Sequence, residues 1–147
     1  MLTTRKKVET PAKGWRAVRP REAINVVVVN SDPAKLAELA QLLRDRGHTV
    51  MTFEKAGDAL AAIAPPPQTV LLIDKELADM SGVEFMHGVQ ERGVYLPTIV
   101  TVPSNAVGDA VQALRYGATD ILESPLSENN LLQSIEQAAA AKADTPD

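Results

Sequence analysis

Two wholly aliphatic tetrapeptides, VVVV at residues 26–29 and VLLI at residues 70–73, constrain the fold of this chain more tightly than any other feature. Each is too short for a buried helix and too uniformly apolar for a strand with one wet face, so each reads as a strand covered on both sides. Strands of that kind belong to parallel sheets whose crossover helices shield both faces. The remaining segments supply those helices.

Strand one is expected over Ile24 to Val29, followed by a helix with Leu36, Leu39 and Leu43 on one face, Asp32 as N-cap and Pro33 at its first position. Gly47 stops that helix. Strand two follows over Thr49 to Phe53 and helix two over Ala56 to Ala64, where Pro65, Pro66 and Pro67 end the hydrogen-bond ladder. Strand three spans Thr69 to Ile73. Helix three starts near Ser81, which has Glu84 at capping-box spacing, and runs to about Arg92. Strand four is expected over Leu96 to Val102, helix four over Ala106 to Tyr116, strand five over Thr119 to Leu122 and helix five over Glu128 to Ala140. Five strand-helix units make an α/β, doubly wound, five-stranded parallel sheet.

The formal net charge of -4 conceals a segregation. Residues 1–22 carry seven Lys or Arg against two Glu, whereas residues 23–147 carry eight bases against seventeen acids. A basic leader (1–22) without helical or strand period is expected to precede one domain (23–141) and a frayed tail (142–147). With no cysteine, disulfide frameworks and thiolate metal sites are excluded. The aliphatic runs are too short to span a bilayer and the N-terminus lacks the apolar core of a secretion signal, so a cytoplasmic protein is expected. There is no glycine-rich phosphate cradle, no Ser/His/Asp set and no third ligand beside His48 or His87, so an enzyme is not expected.

In a doubly wound sheet the working crevice lies beyond the carboxyl ends of the strands, at a switch point. The residues there are Asn30, Ser31 and Asp32, then Asp74, Lys75 and Glu76, then Val102 and Pro103, then Ser124 and Pro125. With the segments VLLIDKELADMSG (70–82) and GATDILESP (117–125) in this order, the chain resembles the CheY-like and FixJ-like receiver domain of bacterial response regulators over residues 24–140. That resemblance implies a flavodoxin-like (βα)5 fold with strand order 2-1-3-4-5. It also implies a phosphoacceptor at Asp74, a magnesium ion held by Asp74 and two acids after strand one, a hydroxyl at the end of strand four, and a lysine before the proline after strand five. Moving a phosphoryl group onto a carboxylate requires its oxygens to be neutralised, which is what the metal and the lysine do.

This chain departs from that pattern. The acid pair is Asn30 and Ser31, the lysine position is Ser124, the aromatic position of strand five is Ile121, and the strand-four hydroxyl position is read as Val102. Thr101 would serve there only if strand four slipped by one residue. Asp32 reads as a helix cap before it reads as a metal ligand, and Lys55 and Lys75 read as solvated lysines. The expectation is therefore a stand-alone pseudo-receiver in a two-component phosphorelay that needs no cofactor. It would bind a histidine kinase, a phosphotransfer protein or another response regulator, or dimerise, through helix four, strand five and helix five, with Gln112, Arg115, Tyr116, Ile121 and Glu123 on that face, or through helix one if it meets a histidine kinase. The first alternative is a working phosphoacceptor at Asp74 with a weak magnesium site of Asn30, Asp32, Asp74 and Glu76. A second uses the leader, with Trp15 among its basic residues, to bind a membrane surface or nucleic acid; specific DNA recognition is not expected.

Overall fold

The computed structural model describes residues 24–62 and 69–144, so the leader, the three prolines and the last three residues lie outside the described residues. Five strands form one parallel sheet, β1 (Asn25–Val29), β2 (Thr49–Phe53), β3 (Thr69–Asp74), β4 (Thr98–Val102) and β5 (Asp120–Glu123), in the order β2-β1-β3-β4-β5. The helices between and after them are α1 (Pro33–Asp45), α2 (Ala56–Ala62), α3 (Gly82–Glu91), α4 (Val107–Arg115) and α5 (Glu128–Asp144).

The aliphatic runs sit where their composition demands. The strands β1, β3 and β4 are central and buried, while β2 on one edge has exposed positions and β5 on the other is only partly buried. Pleating divides each run between two cores. Val26, Val28, Val70, Leu72 and Ile99 pack with Leu36 and Leu43 of α1 and Leu131 and Ile135 of α5. Val27, Val29, Leu71, Ile73, Val100 and Val102 pack on the opposite face with Ala59 of α2, Phe85 and Val89 of α3 and Ala113 of α4.

Local signals set the helix ends. Asp32 caps α1 by accepting from the Ala34 and Lys35 backbone N–H groups at 3.0 and 3.5 Å, with Pro33 as the first helical residue. Ser81 and Glu84 form the reciprocal capping box of α3, at 3.1 and 3.0 Å. Gly47 closes the turn after α1 at φ +90°, a conformation that a Cβ disfavours.

Several boundaries differ from the sequence expectation. The β4 strand starts at Thr98 rather than Leu96, because Pro97 has no N–H for the ladder although its carbonyl still accepts from Leu71. The β5 strand is displaced by one residue, to Asp120–Glu123, and α5 continues to Asp144 where fraying was expected from residue 142. Among the described residues, no helix is long and apolar enough to cross a membrane.

Candidate functional site

The strand order reverses between β1 and β3, and a cleft of about 340 Å3 opens at their carboxyl ends. Its lining includes Asn30, Lys35, Asp74, Lys75, Glu76, Thr101 and Ser124. Asp74 is the last residue of β3, and the parallel register sets Thr101 of β4 directly opposite it. The Thr101 hydroxyl donates to Asp74 Oδ1 at 2.7 Å. Thr101 therefore supplies a hydroxyl to Asp74 without any slip of the strand. Ile99 and Thr101 share one face of β4, and Val100 and Val102 share the other; Val102 is only 1% exposed, in the core beneath α3 and α4. Thr101 shares its face with the core that also holds Val70 and Leu72, the face from which Asp74 emerges.

Residues 26–136 match the response regulator receiver domain family. The chain belongs to that family. It is 32% identical over 127 residues to the transcriptional regulatory protein FixJ of Rhizobium meliloti, an alignment covering 83% of this chain and 62% of FixJ. It is 34% identical over 127 residues to the transcriptional regulatory protein KdpE of Mycobacterium tuberculosis, covering 82% of this chain and 55% of KdpE. With ZraR of Salmonella typhimurium it shares 30% identity over 125 residues, covering 85% of this chain but 28% of ZraR, so it spans only part of each of these relatives. The crystal structure of FixJ-N superposes with a TM-score of 0.76 at 28% identity, covering 81% of this chain and 95% of that one. The receiver domain of NtrX from Brucella abortus superposes with a TM-score of 0.72 at 27% identity, covering 78% and 98%.

Against that family background, this receiver's cleft is short of acid. Asn30 stands first after β1, 6% exposed, and its Oδ1 already accepts from the Asp32 backbone N–H at 2.9 Å. Ser31 is exposed and lies outside the cleft lining, and the Asp32 carboxylate is turned onto the N-terminus of α1. Asp74 and Glu76 are the two carboxylates that line the cleft, and one Asp74 oxygen is engaged by Thr101. Among the described residues, no three or more His, Cys, Asp or Glu are grouped to hold a metal. Magnesium is usually bound through one or two carboxylates with waters and substrate oxygens, so Asp74 and Glu76 are the residues that would hold it here, without the acid pair after β1 that the resemblance implies.

Ser124 reaches the cleft through a cis Ser124–Pro125 peptide, and its N–H donates to Val102 O at 2.8 Å, which extends the β4–β5 pairing by one residue. Lys75 lines the cleft, and its side chain, still partly exposed, sets Nζ 3.4 Å from Asp109 Oδ2 in the first turn of α4. Its backbone is held on both sides, the N–H donating to Thr101 O at 3.0 Å and the carbonyl accepting from Gly82 at 2.8 Å. Lys35 was missed altogether. Its place in the first turn of α1 is legible in the sequence, but its place in the cleft lining depends on how α1 lies across the sheet.

Asp79 carries no role in the sequence pattern, yet it accepts from the Ala56 and Gly57 backbone N–H groups at 2.8 and 2.9 Å, anchoring the start of α2 from the loop after β3. Those N–H groups hold its carboxyl below the ordinary carboxylate range, with the Lys55 charge adding to the effect. The two histidines are apart. His48 Nδ1 accepts from the Ile24 N–H at 3.2 Å, whereas His87 makes an edge contact with the Tyr116 ring at 6.0 Å between centroids.

Of the residues assigned to a partner face, Gln112, Arg115, Tyr116 and Glu123 are exposed, and Ile121 is partly buried against the core. Sequence reasoning missed the more prominent feature of that face. Val107, Val111 and Leu114 are 67%, 51% and 51% exposed, and their i, i+4, i+7 spacing places them on one stripe of α4. The residues of the stripe are visible in the sequence, but apolar residues at that spacing ordinarily mark the core-facing side of a helix. The inward contact is made instead by the small side chain of Ala113, the one buried residue of α4.

Proposed function

We propose that this receiver works as a pseudo-receiver: a protein-protein interaction module in a two-component or phosphorelay network, which engages its partner without phosphorylation of Asp74. The observation that carries this reading is the pairing of a cleft with two carboxylates and an α4 whose apolar stripe faces outward. A chain that binds through a preformed surface needs no charge-driven switch, and Val107, Val111 and Leu114 supply the desolvated centre that such a contact requires. The partner is a signalling protein of the same network, a histidine kinase, a phosphotransfer protein or a response regulator, and the compartment that fits is the cytoplasm. Binding of purified candidates to the intact chain, measured by calorimetry, tests this. Leu114→Lys and the pair Arg115→Glu with Tyr116→Ala are expected to weaken binding at least tenfold, while Asp74→Asn leaves it unchanged. The reverse pattern overturns the proposal, and sedimentation shows whether the partner is a second copy.

A second reading is favoured by one observation, the 2.7 Å bond from Thr101 to Asp74, which keeps the strand-four hydroxyl beside the acceptor carboxylate. On this reading Asp74 accepts a phosphoryl group from a kinase histidine, and the chain gains the mass of one phosphoryl group. Asp74→Asn abolishes that gain. Absence of any gain with an active kinase excludes the reading.

A further inference from the structure

The exposed stripe of α4 continues beyond the helix. Ala110 lies one turn from both Val107 and Leu114, and it lines a groove of about 510 Å3 that runs across Ile121, Leu122 and Glu123 of β5 to Leu126. No lysine or arginine is among the described residues that line this groove, and Glu123 is exposed and makes no ion pair with another described residue. An apolar trough with an unpaired carboxylate fits a cationic segment that carries a bulky apolar side chain. The chain itself holds such a segment. Residues 1–22 carry seven Lys or Arg against two Glu, and Trp15, the one tryptophan of the sequence, stands among Lys13, Arg16 and Arg19. The rest of the chain carries eight bases against seventeen acids, so the attraction has the right sign.

We propose that the basic leader is the resident occupant of this face: residues 1–22 dock onto the α4 stripe and the groove of their own chain, with Trp15 as the apolar anchor. This regulation rests on the reading of the same face as the partner surface, since the leader then competes with the partner for it. The leader has the reach. Helix α4 follows β4 and runs back toward the amino-terminal edge of the sheet, so Leu114 lies at the end where β1 starts. Trp15 precedes Ile24 by nine residues, an extended span of about 30 Å. From β1 to β5 the sheet crosses three strand spacings, about 14 Å. A short tether holds its ligand at an effective concentration of about millimolar, so weak contacts suffice to cover the face and a tighter-binding partner displaces them.

The fluorescence of Trp15 in the intact chain reports the contact directly, because no other tryptophan is present. Its emission is expected to be blue-shifted and its quenching by acrylamide weaker than in the urea-unfolded chain, both independent of chain concentration. Sodium chloride should move both toward the unfolded values. Leu114→Lys is expected to lower the ratio of docked to free leader about tenfold. Glu123→Lys should lower it about threefold. Glu38→Lys, the same charge change on exposed α1, should leave the emission as it is. Emission equal to that of the unfolded chain overturns the proposal, as does a shielded Trp15 that neither Leu114→Lys nor Glu123→Lys releases. An equal response to Glu38→Lys overturns it too, and so does shielding that disappears on dilution, which places the leader on a second copy. Calorimetry with a partner tests the surface separately: shielded Trp15 without partner binding refutes the partner reading alone, and partner binding with exposed Trp15 refutes the leader's role alone.

Discussion

Thr101 and Asp74 are register partners on adjacent parallel strands, and the hydroxyl of one donates to the carboxylate of the other at 2.7 Å. A half-buried hydrogen bond to a charged group has a larger net value than one between neutral groups. Thr101→Val is expected to cost about 1 to 2 kcal/mol in urea denaturation, and Thr101→Ser to cost less. Val102→Thr tests the facing of β4 from the other side. It buries a hydroxyl among Val29, Ile73 and Val100 and should destabilise by about 1 to 3 kcal/mol, whereas a nearly neutral result would mean that residue 102 faces the cleft.

Gly82 is the glycine eight positions after Asp74, and its requirement is steric. A Cβ there would lie 2.7 Å from the Asp74 carbonyl oxygen and 3.3 Å from Lys75 Cα, both backbone atoms with little room to move. Alanine is the better helix former, so a site without this contact would gain from the change. Gly82→Ala is instead expected to lower the melting temperature, with a cost of about 1 to 3 kcal/mol, and to shift the amide resonances of Asp74 and Lys75. An unchanged or raised melting temperature would show that the loop has room there.

His48 links stability to pH. Burial lowers its pKa below the ordinary 6.5, opposed in part by the charge of Glu136, and its Nδ1 must stay unprotonated to accept from Ile24. With the folded value below the unfolded one, the unfolded chain binds the proton first. The contribution is therefore complete above 6.5 and is lost as the pH falls from there through the lowered folded value. Urea midpoints measured between pH 7.5 and 5 should fall more steeply for the natural chain than for His48→Gln; parallel curves would remove His48 from the account.

Asp79 makes a prediction of the opposite chemical type. Its depressed carboxyl pKa stabilises the fold above the ordinary carboxylate value of 3.8, and that contribution disappears as the pH falls through the lowered folded value. At neutral pH, Asp79→Ala leaves the Ala56 and Gly57 N–H groups without their acceptor. Faster hydrogen exchange confined to the start of α2 is the expected result, and unaltered exchange at both amides would contradict it.

The elements whose signals are local are legible in the amino-acid sequence alone. The runs at 26–29 and 70–73 announce buried strands, Pro33 and Asp32 announce the start of α1, and Ser81 with Glu84 announces the start of α3, because each depends on residues within a turn of one another. That Asn30 and Ser31 stand where the family resemblance implies acids, and Ser124 where it implies a lysine, is likewise an expectation drawn from the sequence. The side on which a doubly buried strand carries each residue is not, since residues 98–102 have no polar alternation to mark a wet face. Only pairing with β3 put Thr101 against Asp74 and sent Val102 into the core. The same holds for Lys35 beside the cleft, for Lys75 against Asp109, and for the α4 stripe that faces outward because Ala113 makes the inward contact. Those relationships join elements distant in the chain, so their geometry arises when the helices settle onto the sheet.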